Sequence, residues 1–136
     1  MKNYEIIIFD LDGTLSNSKE GITKSVQYAL SKLGIIEENL DSLEHFIGPP
    51  LKDEMIRTYK VSEEEAEKAV AYYRERYVPK GIYETEIYPG TEEMLSNLKS
   101  SGKRIALATS KPQQMAEEVL QYLKIERYFD LSLIHI

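Results

Sequence analysis

The chain has 136 residues, no cysteine and a formal net charge of −6 at pH 7. This length allows a folded core, but it is small if two domains share it. The acidic balance makes nucleic acid polymers and anionic membranes poor partners, and the lack of cysteine excludes disulfides and thiolate chemistry. Because no apolar run is long enough for a signal peptide or a membrane span, we expect a cytoplasmic protein.

The first predicted element is a strand at Ile6–Phe9 that runs directly into an acidic loop. Four consecutive apolar residues predict a strand buried on both faces, as in the parallel sheets of α/β proteins. Asp10 and Asp12 follow, with Gly13 as a turn-former and Thr14 as a hydroxyl. The carboxyl end of such a strand is where open α/β sheets bind ligands. The loop can therefore supply a nucleophile or metal ligand, a proton donor, and backbone N–H groups for an anion.

Two other interpretations of this loop need no chemistry. An Asp-Gly pair after a strand is typical of β-hairpins. The sequence after Gly13 is polar and then helical, with no second alternating strand, so a hairpin is not expected. A plain strand-to-helix turn remains the alternative.

A helical segment separates the acidic loop from the next predicted strand. Apolar residues spaced by three and four predict helices over residues 21–33, 51–59 and 62–77, with a short apolar segment around residues 40–46. Ser62 is the expected N-cap of the third helix, with Glu65 at the reciprocal position. Since no strand signal occurs between residues 17 and 82, we predict a helical domain there and an α/β core formed by residues 1–16 and 83–136.

Beyond the helical segment, the chain continues with a helix, a buried strand and another helix. A helix opens at Thr91, a strand over residues 103–109 ends in hydroxyls at Thr109 and Ser110, and Pro112 lies in the first turn of the next helix. A helix N-terminus favours an anion, although a Thr-Ser pair on its own favours a plain N-cap. Together with Asp10 on a neighbouring parallel strand, Thr109 predicts a phosphate site at one sheet edge.

The sequence FDLDGTL, from Phe9 to Leu15, resembles the first motif of the haloacid dehalogenase superfamily, in particular its phosphatases. The resemblance implies an α/β fold whose partial Rossmann-like parallel sheet carries an inserted all-helical cap. It also implies that Asp10 attacks phosphorus to form an aspartyl-phosphate. Asp12 would then protonate the leaving oxygen and later activate water.

Further site residues follow from the same resemblance. Leu11, Asp12, Thr109 and Ser110 are expected to bind phosphate, and Mg²⁺ is the expected cofactor, held by the Asp10 carboxylate and the Asp12 carbonyl. An acidic protein that binds phosphate needs local positive charge, and a divalent cation is an obvious source.

The cap loop after the short apolar segment is a candidate for substrate contact. Gly48 and Pro49 form a rigid turn, and Lys52 could present its ammonium to an anionic leaving group. A surface turn with a solvated lysine is an equal alternative.

The expected function is hydrolysis of a small phosphate monoester of the phosphoglycolate or 5′-nucleotide type. Within the superfamily, Asp12 favours phosphate esters over halides, because a halide needs no proton. A sugar-phosphate mutase would use the same two aspartates, and a non-catalytic binding module on the same scaffold is the alternative from another class.

The resemblance ends near Asp130. The superfamily continues with a lysine and an acidic motif that complete the site, and we expect neither before Ile136, although Lys111 could partly replace that lysine. The last residues, Leu131–Ile136, match the translation of a transposon sequencing adaptor. We therefore expect a C-terminally truncated fragment with impaired metal binding and turnover. The alternative is a genuine alternating strand.

Overall fold

The computed structural model describes residues 5–130 and 134–135. The strands are β1 (Ile6–Phe9), β2 (Ser16–Asn17), β3 (Glu86–Ile87), β4 (Arg104–Thr109) and β5 (Ile134–His135). The α-helices are α1 (Lys19–Lys32), α2 (Leu51–Tyr59), α3 (Glu63–Tyr77), α4 (Thr91–Ser100) and α5 (Gln113–Tyr122). Short 3₁₀ helices cover Leu40–Phe46, Gly81–Tyr83 and Glu126–Tyr128. Within the described ranges, no helix combines the length and the apolar character that crossing a membrane requires.

A parallel sheet with the strand order β1-β4-β5 forms the α/β part of the fold. The β1–β4 register pairs Ile6 with Arg104 and Phe9 with Leu107, so the acidic loop and the hydroxyls after β4 leave the same end of the sheet. β5 pairs Thr109 with His135. The hypothesis that residues 131–136 derive from a sequencing adaptor falls on this end of the chain. Apart from β5, those residues lie outside the described ones.

The burial of β1 differs from the prediction. Ile6 is 42% exposed and Ile8 is 56% exposed, so the strand is not buried on both faces. Successive side chains of a strand point to opposite faces, so Ile6 and Ile8 share one face of the sheet, and the described elements leave that face open to solvent at β1. β4 fits the prediction better, because Ile105, Ala106 and Leu107 are fully buried.

A second, antiparallel pairing joins the two points where the chain leaves and re-enters the sheet region. In this pairing, Ser16 of β2 lies opposite Ile87 of β3, and Asn17 lies opposite Glu86. The Tyr88 N–H extends it by donating to the Leu15 carbonyl at 3.2 Å. The sequence gives no signal for these strands, since two residues are too few for a period to be seen.

The chain divides into two compact units, Met1–Asn17 with Glu86–Ile136, and Ser18–Thr85. The junctions therefore lie at 17/18 and 85/86, whereas the sequence suggests 16/17 and 82/83. The β2–β3 pairing explains the difference, because it keeps residues 16–17 and 86–87 with the sheet.

The unit Ser18–Thr85 is helical, and α1 packs against α3 and against the 3₁₀ helix Leu40–Phe46. Its largest buried side chains include Leu30, Leu43, Met55, Tyr77 and Ile82. Gly21 on α1 lies so close to Gly81 that a Cβ built on Gly21 would be 2.2 Å from the Gly81 carbonyl oxygen. Only glycine permits this backbone approach.

Candidate active site

The acidic loop is closed by backbone hydrogen bonds, three of which converge on one carbonyl. Leu11 O accepts from the N–H groups of Thr14, Leu15 and Ser16 at 3.0–3.2 Å. Gly13 adopts φ = 81°, a left-handed conformation that glycine tolerates best, and donates its N–H to Ser16 O at 2.9 Å. Because the Leu11 and Leu15 side chains are buried, they anchor the loop to the core.

The two aspartates of this loop lie in different environments. Asp10 is exposed, and its Oδ1 accepts the Leu11 N–H at 2.8 Å. The Asp12 side chain is only 9% exposed. A fixed, accessible carboxylate suits a nucleophile, whereas a buried carboxylate next to it suits a proton-transfer group.

The residues after β4 form the other side of the candidate site. Thr109 is buried, and its Oγ1 accepts the backbone N–H of Lys111 at 3.0 Å. Pro112 is the N-cap of α5 and offers no side-chain cap, so the Thr109 hydroxyl organises the turn from strand to helix. This arrangement agrees with the expected helix after β4, whereas the predicted roles of Thr109 and Ser110 in phosphate binding remain predictions.

One ion pair links the two sides of the site. Lys111 Nζ lies 3.4 Å from Asp12 Oδ2, and the lysine side chain is only 7% exposed. Asp12 Oδ1 is buried and has no hydrogen-bond partner. Asp10, Asp12, Thr109 and Lys111 therefore combine two carboxylates, one hydroxyl and one ammonium at the carboxyl ends of β1 and β4.

The donor set around Asp10 and Asp12 fits part of a magnesium site. No group of three or more His, Cys, Asp or Glu side chains suited to a metal occurs among residues 5–130 and 134–135. Mg²⁺ is commonly held by one or two carboxylates together with waters and substrate phosphate oxygens. The Asp10 carboxylate and the Asp12 carbonyl could supply such protein ligands.

Of the predicted substrate residues of the cap, Gly48 and Pro49 lie between Leu40–Phe46 and α2, and Lys52 lies in the first turn of α2. Gly48 has φ = 109° and open space around it, and Pro49 follows directly. Lys52 Nζ lies 2.8 Å from Glu63 Oε1 and 3.2 Å from Glu67 Oε1. Hydrogen bonds to these two carboxylates raise the pKa of Lys52. Within this unit, the ammonium is thus held by α3.

The sequence points directly to most of these groups, but it does not single out the pairing of Lys111 with Asp12. Lys111 stands two positions after Thr109, where a lysine is equally consistent with a solvated side chain at a helix start. The low exposure of both side chains, 7% and 9%, distinguishes this lysine from the other lysines within residues 5–130. That feature requires two segments about a hundred residues apart in sequence to meet.

Comparison with known proteins places the chain in a family. Residues 7–135 match the family described as haloacid dehalogenase-like hydrolase. The chain belongs to this family. A solved structure of a predicted phosphatase from Clostridium acetobutylicum is similar with a TM-score of 0.94 and 45% identity, over 98% of this chain and 61% of that one.

Curated relatives of this haloacid dehalogenase-like chain carry several names. A 5′-nucleotidase from Pseudomonas aeruginosa is 47% identical over 126 residues, which are 93% of this chain and 57% of the relative. A phosphoglycolate phosphatase from Aquifex aeolicus is 30% identical over 93% of this chain and 58% of the relative. Tyrosine-protein kinase PtkA from Mycobacterium tuberculosis is 35% identical over 93% of this chain and 43% of the relative.

These matches confirm the superfamily resemblance and the α/β fold with a helical insertion. The chain spans about half of each curated relative's length, between 43% and 58%. The relatives' activities are therefore a source of proposals for this chain.

Proposed function

We propose that this chain carries the nucleophile and the proton-transfer group of a phosphatase that acts on small phosphate monoesters. The observation that carries the proposal is the contrast between the two aspartates: Asp10 is exposed and oriented, whereas Asp12 is buried beside Lys111. Relatives named 5′-nucleotidase and phosphoglycolate phosphatase support a phosphate ester as the substrate.

The proposed reaction has two steps. An Asp10 oxygen forms a bond to phosphorus while the ester P–O bond breaks, and Asp12 gives its proton to the departing oxygen. Asp12 then takes a proton from water as the water oxygen attacks phosphorus, which releases Asp10 and inorganic phosphate. Splitting the hydrolysis this way replaces one difficult displacement by two easier ones.

Positive charge is needed around the phosphate oxygens in both steps. Backbone N–H groups of Leu11 and Asp12 and the hydroxyls of Thr109 and Ser110 are the proposed phosphate contacts. Mg²⁺, held by Asp10 and Asp12, would supply charge that offsets the repulsion between carboxylate and phosphate.

The helical unit is proposed to act as a cap that excludes water and contacts the leaving group. Within it, Gly48, Pro49 and Lys52 are the proposed substrate contacts. Since Lys52 is already paired with two glutamates, a contact with substrate would have to compete with those ion pairs.

The test is a panel of phosphate esters that includes phosphoglycolate, 5′-nucleotides and p-nitrophenyl phosphate, assayed with and without Mg²⁺. Asp10→Asn is expected to abolish release of inorganic phosphate while leaving the melting temperature nearly unchanged, since Asp10 is exposed. Phosphate release that persists in Asp10→Asn would contradict the proposal.

A mutase is separated from a phosphatase by the fate of the phosphoryl group. Single-turnover trapping with a sugar bisphosphate gives inorganic phosphate from a phosphatase and a retained phosphoenzyme from a mutase. A chain that binds esters without turnover in the presence of Mg²⁺ would instead be a binding module.

A further inference from the structure

Lys111 is a buried cation that the proposed reaction does not yet use. Its side chain is 7% exposed, although lysine is rarely buried without a partner. The partner is Asp12, whose carboxylate is 9% exposed. Placing a charge pair in a poorly solvated position is costly, and such pairs concentrate at functional sites.

The contact distinguishes the two oxygens of Asp12. Oδ2 lies 3.4 Å from Lys111 Nζ, whereas Oδ1 is buried without a hydrogen-bond partner. A charge-assisted hydrogen bond is shorter, about 2.7–2.9 Å, so the lysine attracts Oδ2 chiefly through its charge. The ion pair therefore fixes the rotation of the carboxyl group and leaves Oδ1 as the unengaged oxygen.

The backbone around Lys111 makes this cation a fixed one. The Lys111 N–H donates to the buried Thr109 Oγ1 at 3.0 Å, and Pro112 limits the backbone directly after it. The turn also lies between β4 and α5, two regular elements of the same unit. Groups held on such a frame position a neighbour more precisely than a surface lysine can.

We propose that Lys111 is a positioning residue for proton transfer by Asp12. Its ammonium holds Oδ2 and thereby fixes the rotation of the carboxyl group that gives the proton to the leaving group and later receives one from the attacking water. The bonds made and broken at phosphorus are those of the two-step reaction above. This inference rests on the proposed phosphatase function and adds Lys111 to the residues that serve it.

The proposal predicts a dependence on the leaving group. An alkoxide leaves slowly unless it is protonated, whereas p-nitrophenolate leaves readily without a proton. Loss of correct Asp12 positioning should therefore slow the first step, in which the ester bond breaks, much more for an alkyl phosphate than for p-nitrophenyl phosphate. The second step, hydrolysis of the aspartyl-phosphate, is common to both substrates. A general loss of phosphate binding or of folding would slow both substrates alike.

The test uses Lys111→Met, which keeps most of the unbranched side chain and removes its charge. We expect kcat/KM for β-glycerophosphate, which reports the first step, to fall about tenfold or more, with a much smaller change for p-nitrophenyl phosphate. The matched control is Lys103→Met, at the opposite end of β4, which should leave both rates unchanged. Equal losses on both substrates, or no loss, would overturn the proposal.

A double variant covers the case in which the Lys111→Met chain fails to fold because the Asp12 charge has lost its ammonium partner. Asp12→Asn with Lys111→Met removes both charges of the pair. If Lys111 acts through Asp12, this double variant and Asp12→Asn alone hydrolyse β-glycerophosphate at the same rate. A further loss of more than about threefold in the double variant would overturn the proposal.

The two proposals fail in different ways. If the wild-type chain hydrolyses esters through Asp10 and Lys111→Met keeps the wild-type dependence on the leaving group, only the role of Lys111 is refuted. If the chain neither releases inorganic phosphate nor forms a phosphoenzyme at Asp10, or if hydrolysis survives Asp10→Asn, the phosphatase proposal fails and the role of Lys111 fails with it.

Discussion

Replacing Gly21 by alanine tests the close approach of α1 to the Gly81–Tyr83 turn. The Gly21 N–H donates to Glu84 O at 3.2 Å, and a Cβ at this position would lie 2.2 Å from the Gly81 carbonyl oxygen. Both neighbours are backbone atoms, so no side-chain rotation relieves the clash. The helix start must move by roughly 1 Å to restore a normal van der Waals contact.

Three contributions set the expected loss in the free energy of unfolding. Overpacking of this kind costs about 1–3 kcal/mol. Weakening the hydrogen bond to Glu84 adds about 0.5–1.5 kcal/mol, and the better helix propensity of alanine returns about 1 kcal/mol. We expect a net destabilisation of about 2 kcal/mol, which lowers the melting temperature of a chain of this size by about 6–10 °C.

Thermal and urea denaturation followed by circular dichroism measure this effect. The control is Gly34→Ala, where φ is +81° and nothing lies within 4 Å of the added Cβ. Its cost, about 1–2 kcal/mol, comes from backbone conformation alone. The clash at Gly21 is refuted if Gly21→Ala is as stable as the wild type or more stable, because helix propensity would then outweigh any steric effect.

Two further stability predictions concern charges and caps. The ammonium of Lys99, and after it the Ile105 N–H, lower the pKa of Asp130. The stabilisation that ionised Asp130 gives the folded chain is therefore complete above the ordinary pKa, and it is lost as pH falls below about 4. Asp130→Asn should therefore destabilise the chain at pH 7, and the difference from wild type in urea midpoint should shrink towards pH 3. A difference independent of pH would contradict this role. Ser62 caps α3 by accepting the Glu65 N–H at 3.1 Å, so Ser62→Ala should cost about 1 kcal/mol in the same denaturation assay, and an unchanged midpoint would exclude the cap.

Local sequence patterns predict the regular elements well. The run Ile6–Phe9 forms β1, and the helix expected from residue 62 begins at Glu63 with Ser62 as its N-cap. These features depend on neighbours within one turn or one strand, so the local sequence contains the information. The same holds for the acidic loop, whose turn at Gly13 needs a left-handed conformation.

Features that depend on distant segments are not visible locally. The exposure of Ile8 depends on which elements cover its face of the sheet, and the apolar run alone is equally consistent with a strand covered on both faces. Likewise, Lys111 and Asp12 meet only because β1 and β4 pair in a particular register. For the site, the residue types are thus predictable from motifs, while the partner of each charged group requires the fold.

The short β2–β3 pairing has a consequence for how this architecture can vary. It holds the two ends of the segment Ser18–Thr85 side by side, at about the 4.8 Å spacing of neighbouring strands. The whole segment therefore connects two paired antiparallel strands, as the loop of a β-hairpin does. A shorter turn or an unrelated domain could be grafted there without altering the register of the sheet, so evolution can exchange what is inserted while preserving the acidic loop a few residues away.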